Sequence, residues 1–176
     1  MAENLEEVRI LDYRVELNKE IKNWIISQEE IPNYFWGKLK DVSSQTTFRE
    51  LLNKVRKELY AIYGRKRDKA RSFTDSRFTP LSKMLERGMI SCGALTNIFG
   101  TVLRKFGIPV KFIHGRLKHQ TGEDRHAWLE VYNPLKKKWF EIDPTYPDFK
   151  MKPDAKRIKV YHDWEELKKD YDEGNF

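Results

Sequence analysis

The period of the apolar residues changes near Gly107, and that change narrows the folds open to the chain. Up to about Phe106 the apolar residues recur at helical spacing, and beyond Pro109 they alternate. Helices first and strands afterwards describe an α+β domain with segregated elements. A doubly wound sheet would need strands and helices in alternation.

Leu5, Val8, Leu11, Val15, Ile21, Trp24 and Ile25 predict one long amphipathic helix that stops at Ile31-Pro32-Asn33. Residues 34–45 read as irregular. Thr47-Phe48-Arg49-Glu50 has the form of a capping box opening a second helix, with Phe48, Leu51, Leu52, Val55 and Leu59 as its buried stripe. Residues 64–79, basic and weakly periodic, read as a long loop. Thr79-Pro80 then opens a short helix that Gly88 ends. A helix beginning at Cys92 turns Leu95, Ile98, Phe99, Val102, Leu103 and Phe106 inward and ends at Gly107. Antiparallel strands are expected at 110–114, 126–132 and 139–143, the last two joined by a turn at 133–138. Asp163 caps a final short helix.

The length of 176 residues and five Trp, eight Tyr and ten Phe suit one domain with a full core, too apolar for a disordered chain. Within it, 1–46 reads as a helical extension, 47–145 as the core and 146–176 as a C-terminal extension. No window approaches the roughly 20 apolar residues of a membrane span. The acidic N-terminus lacks the apolar stretch of a secretory signal. With one cysteine, a reducing, cytoplasmic setting is expected. The net charge of +7 gathers at Arg65-Lys66-Arg67 with Lys69 and Arg71, at 136–138, and at Lys152, Lys156, Arg157 and Lys159. Solvated lysine-rich faces account for most such runs, although the first is also compatible with an acidic substrate. No nucleic-acid-binding motif is present, and neither nucleic acid nor membrane is an expected partner.

A single cysteine can form neither an internal disulfide nor a thiolate-rich zinc site, which directs attention to Cys92 as a nucleophile. A helix N-terminus stabilises a thiolate and offers N–H groups to an oxyanion. If Ala127, Leu129 and Val131 share a face with Phe140 and Ile142, then Leu129 lies opposite Ile142 and Val131 opposite Phe140. His126 then falls opposite Thr145 and diagonal to Asp143, within reach of an imidazole–carboxylate bond. Cys92 is thereby assigned as nucleophile, His126 as proton carrier and Asp143 as the group that orients His126.

These residues resemble the transglutaminase-like superfamily of cysteine peptidases, amidases and acyl transferases. The resemblance spans 47–145 and rests on Cys92, the run Leu103-Arg104-Lys105-Phe106-Gly107-Ile108-Pro109, His126-Ala127-Trp128-Leu129-Glu130-Val131 and Asp143-Pro144-Thr145. It implies a papain-like fold, a Cys92, His126, Asp143 triad, and a thioester formed from a peptide, protein or other amide substrate. It requires no cofactor. Tyr63 is the side chain considered first for the second oxyanion donor, ahead of Trp36 and Gln45. Where the family usually has glycine two positions before the cysteine, this chain has Ile90, with Gly88 earlier.

Three other readings compete. Arylamine N-acetyltransferases share the Cys, His, Asp order, but their Arg-Gly-Gly-x-Cys context is absent here. His114, His119, Asp124 and His126 are poorly spaced for a closed zinc site. A catalytically silent scaffold, binding protein or nucleic acid through its basic surface, is the non-enzymatic alternative.

Overall fold

A computed structural model describes residues 7–16, 31–66, 81–162 and 164–173. Helix α1 spans Ile10–Glu16, α2 spans Asn33–Trp36 with a 3-10 turn at Gly37–Leu39, α3 spans Phe48–Lys66, α4 spans Leu81–Arg87 and α5 spans Cys92–Lys105. Strands β1 (Val110–His119), β2 (Gly122–Asn133), β3 (Lys138–Ile142) and β4 (Ala155–Tyr161) follow, then helix α6 (Trp164–Asp172). The strands form one antiparallel sheet in the order β3-β2-β1-β4. Helices before strands is the expected segregated α+β order. No helix among the described residues is long and apolar enough to cross a membrane.

The chain before α1 departs from the expected long helix. Residues 8–11 run beside 44–48, so their backbone groups are used there. Val8 O accepts from Phe48 N (2.6 Å), and Ile10 N and Leu11 N donate to Thr46 O (3.0 Å) and Ser44 O (2.8 Å). Arg9 N–H is held by the Asp12 carboxylate (2.6 Å), which delays the helix until Ile10. The remainder of that expected helix lies outside the described residues, as do the Thr79-Pro80 and Asp163 caps. Helix α3 opens on the expected box: Thr47 N donates to Glu50 Oε2 (2.8 Å) and Glu50 N to Thr47 Oγ1 (3.2 Å). Its stripe Phe48, Leu51, Leu52, Val55 and Leu59 is fully buried. The helix continues to Lys66, so residues 64–66, expected in a loop, are helical.

Helix α5 is the centre of the molecule. Gly93 to Leu103 are all buried, between the sheet on one side and α3 and α4 on the other. Gly100 allows this close approach, since a methyl there would stand 3.3 Å from Leu129 Cδ2. Leu129 lies opposite Ile142 and Val131 opposite Phe140, as the apolar alternation requires. Strand β4 was not anticipated. It pairs with β1 across a register shift at His114/Gly115. Its charges are largely satisfied within the protein: Arg157 pairs with Glu130 and Glu141, and Lys159 with Asp170 of α6.

Candidate active site

Cys92 occupies the first turn of α5. Ser91 caps that turn by accepting from Ala94 N through its hydroxyl (3.4 Å), and its carbonyl accepts from Leu95 N (2.9 Å). The N–H groups of Cys92 and Gly93 are thereby left at the end of the helix that carries the sulfur. Thr96 returns its hydroxyl proton to Cys92 O (2.7 Å), which fastens the residue from the next turn.

His126 reaches the thiol from β2, and its position follows from pairing. Gly115 faces it across β1, while Ala127 points into the core. A side chain at 115 would force its neighbours to move, because a methyl would overlap the Lys156 carbonyl and the Trp128 ring. The indole fills that space and stacks on the imidazole, with ring centres 6.0 Å apart and planes at 29°. Asp143 follows β3 directly and is fully buried. Its Oδ2 lies 2.6 Å from His126 Nε2, and its Oδ1 accepts from Thr145 N (2.9 Å). With Nε2 committed to the carboxylate, Nδ1 is the nitrogen left for the sulfur.

Electrostatics agree with this geometry. Burial opposes ionisation of the Cys92 thiol. The His126 hydrogen bond and charge, and the N–H groups of Ala127 and Gly93, outweigh it and hold the thiol below its ordinary pKa. Burial likewise opposes protonation of His126, yet its bonds to Asp143 and Cys92 and their charges push its pKa up to about 9. Both shifts act in the direction of a thiolate–imidazolium pair. Such a pair can add sulfur to a carbonyl carbon and supply a proton to a leaving group.

The structure brings Cys92, His126 and Asp143 together and arranges the other residues as follows. Tyr63 lies in the last turns of α3 with its ring edge-on to Tyr60 (6.1 Å). Its backbone lies under Gly88, which has φ +65° and where a methyl would stand 3.0 Å from Tyr63 Cα. No hydrogen bond or ring contact joins Tyr63 to Cys92 among the described residues. Trp36 packs on Phe106 (4.9 Å), and Gln45 accepts from Arg9 (3.0 Å). His114 lies opposite Ala127 and Asp124 opposite Leu117, and no metal-holding group of three His, Cys, Asp or Glu occurs among the described residues.

Tyr146 went unnoticed in the sequence. Its ring lies 6.4 Å from His126, with Lys152 Nζ 4.3 Å above it. Burial, followed by the charges of Asp143 and Cys92, raises its phenol pKa, so it is a neighbour of both. The position three residues after Asp143 carries no periodic signal that could have marked it. Trp128 was visible as part of the His-Ala-Trp strand, but its stacking on His126 depends on the missing side chain at Gly115.

Comparison with known proteins agrees with this construction. Residues 39–144 match the family model of the transglutaminase-like superfamily. A peptide-N(4)-(N-acetyl-beta-glucosaminyl)asparagine amidase of Candida glabrata is 34% identical over 73 residues, covering 42% of this chain and 19% of that protein. The amidase of the same name from Eremothecium gossypii gives the same identity and coverage. That from Saccharomyces cerevisiae is 29% identical over 73 residues, covering 42% of this chain and 18% of its own. The chain thus spans about a fifth of the length of the curated relatives it matches. A crystal structure of a candidate cysteine protease from Cytophaga hutchinsonii superposes with a TM-score of 0.54 over 90% of this chain and 51% of that one, at 17% identity. That likeness establishes the papain-like fold. With the motif order, the sheet and the family match in agreement, the chain belongs to the transglutaminase-like superfamily.

Proposed function

We propose that this protein is a cysteine-dependent amidase working through a Cys92, His126, Asp143 triad. The observation that carries the reading is the imidazole of His126, bonded to Asp143 through Nε2 and set against a thiol at a helix N-terminus. The Cys92 thiolate adds to an amide carbonyl carbon. The C–N bond then breaks, His126 gives its proton to the departing nitrogen, and a thioester remains on Cys92. Water next loses a proton to His126 and adds to the acyl carbon. The thiolate leaves and the carboxylic acid is released, restoring the starting ion pair. An amine in place of water would give acyl transfer. The N–H of Cys92 serves as one oxyanion donor, and Tyr63 is the side chain proposed as the second.

The curated relatives are named for an amide of glycosylated asparagine, so an N-glycosylated peptide is the first substrate to try. The reading takes 1–176 as one unit, supported by a core cluster drawn from Val8 through Leu167. It places the protein in a reducing, cytoplasmic setting, where Cys92 stays a thiol.

The test has two parts. Iodoacetamide alkylation of Cys92 across pH 5 to 9 should show a thiolate plateau extending below neutral pH, and His126→Ala should abolish it. With a glycopeptide or simple amide, Cys92→Ala should lower turnover by about 10⁴ or more. An ordinary titration near the model thiol value of about 8.5, unchanged by His126→Ala, would refute the triad and leave the silent scaffold as the reading.

A further inference from the structure

The turn that carries Asp143 is held from outside the sheet. Within it, Asp143 N donates to Phe149 O (3.0 Å), Tyr146 N to Asp143 O (3.2 Å) and Phe149 N to Tyr146 O (3.0 Å). Phe149 adopts φ +59°, a left-handed conformation that non-glycine residues seldom take. Its ring is buried against Phe99 of α5 (5.7 Å). The Pro144 carbonyl lies beyond the strand ladder, and the Tyr146 carbonyl already accepts from Phe149 N and has a second lone pair.

Arg56 of α3 bonds both carbonyls. Its Nη2 donates to Pro144 O (2.9 Å) and to Tyr146 O (2.7 Å). Its guanidinium lies 4.0 Å above the Phe149 ring centre. Among the described residues Arg56 forms no ion pair; its polar bonds go to this turn. The planar guanidinium bonds both carbonyls through one Nη while its flat face lies on the ring. Arg56 thus grips the turn on both sides of Thr145, whose N–H fixes the Asp143 carboxylate. The same grip sets the backbone of Tyr146, beside the imidazole.

We propose that Arg56 is a positioning residue of the active site: by clamping the 144–149 turn it fixes where the Asp143 carboxylate meets His126, and so sets the protonation state of the Cys92–His126 pair. The proposal rests on the triad reading and adds a fourth member that touches no substrate. Loosening the clamp lengthens the Asp143–His126 bond, lowers the affinity of His126 for its proton and returns the thiol towards ordinary acidity.

The experiment compares wild type, Arg56→Met, Arg56→Lys, Arg56→Gln and Asp143→Asn. It reads the pH profile of Cys92 alkylation and the NMR titration of His126, each below the thermal midpoint of the variant used. Arg56→Met should move the Cys92 inflection upward, towards that of Asp143→Asn. Each unit of that shift costs about tenfold in thiolate on the acid side. The His126 titration should fall below its wild-type value. Arg56→Lys and Arg56→Gln, which restore a donor without the planar guanidinium, should fall between wild type and Arg56→Met, and they supply the measurement if Arg56→Met does not fold. A lower thermal midpoint with a wild-type pH profile in these variants would overturn this proposal alone. An ordinary thiol profile in wild type itself would overturn the triad reading, and this proposal with it.

Discussion

Individual residues here act by what they leave out as much as by what they present. Gly115 contributes nothing but absence, and the Trp128 indole occupies the space and backs the His126 ring. Gly115→Ala should force the indole or β4 to move. Overpacking of this kind costs about 1–3 kcal/mol, readable as a lower thermal midpoint. The same variant should disturb Cys92 reactivity more than a similarly destabilising change at the far end of the sheet. Cys92, His126 and Asp143 were legible in the sequence because each interrupts a periodic pattern or starts one. Gly115, Tyr146 and Arg56 were not. Arg56 sits among other charges on a helix whose apolar stripe is all that the spacing reveals. Only the folded chain shows that its polar bonds go to a turn nearly ninety positions away.

Among the elements, α3, α5 and the β2–β3 hairpin were readable because their large apolar residues keep helical or alternating spacing along the sequence. The capping box of α3 adds a local signal, and Thr47→Ala should lower stability by about 1 kcal/mol, within the 0.5–2 kcal/mol usual for a lost cap. That change should leave the alkylation profile intact, since Thr47 and Glu50 bond each other and not the Cys92, His126 or Asp143 side chains. Strand β4 was illegible because Lys156, Arg157 and Lys159 read as a solvated run. As an edge strand it exposes much of its length, and its charges find partners only in the fold, Arg157 in Glu130 and Glu141, Lys159 in Asp170. The start of α1 failed differently. Its apolar residues do follow helical spacing, but the backbone of residues 8–11 is bonded to residues 44–48, a tertiary preference that no local pattern encodes.

For the molecule as a whole, the shifted pair ties stability to pH. His126 holds its proton more tightly folded than unfolded, with a pKa of about 9 against about 6.5 for a free imidazole. Its contribution is therefore full below about pH 6.5 and is lost as pH rises through about 9. Cys92, lowered by folding, contributes in the opposite sense: its share is present above the ordinary thiol value and lost as pH falls through its folded one. The two trends offset each other in wild type. Cys92→Ser removes the second, and with it the sulfur's share of the His126 shift, and should unmask a decline in thermal midpoint that starts near about pH 6.5 and is complete by about pH 9, which His126→Gln abolishes. The sulfur, the imidazole and the carboxylate come from a helix, a strand and a turn, and a second helix holds the turn. No short peptide containing Cys92 can reproduce the acidity of that thiol. Rapid alkylation at pH 6 is thus a meter of cooperative order: in rising denaturant it should vanish at the same midpoint as the fluorescence of buried Trp128, and an earlier loss would mark a site that melts before the core.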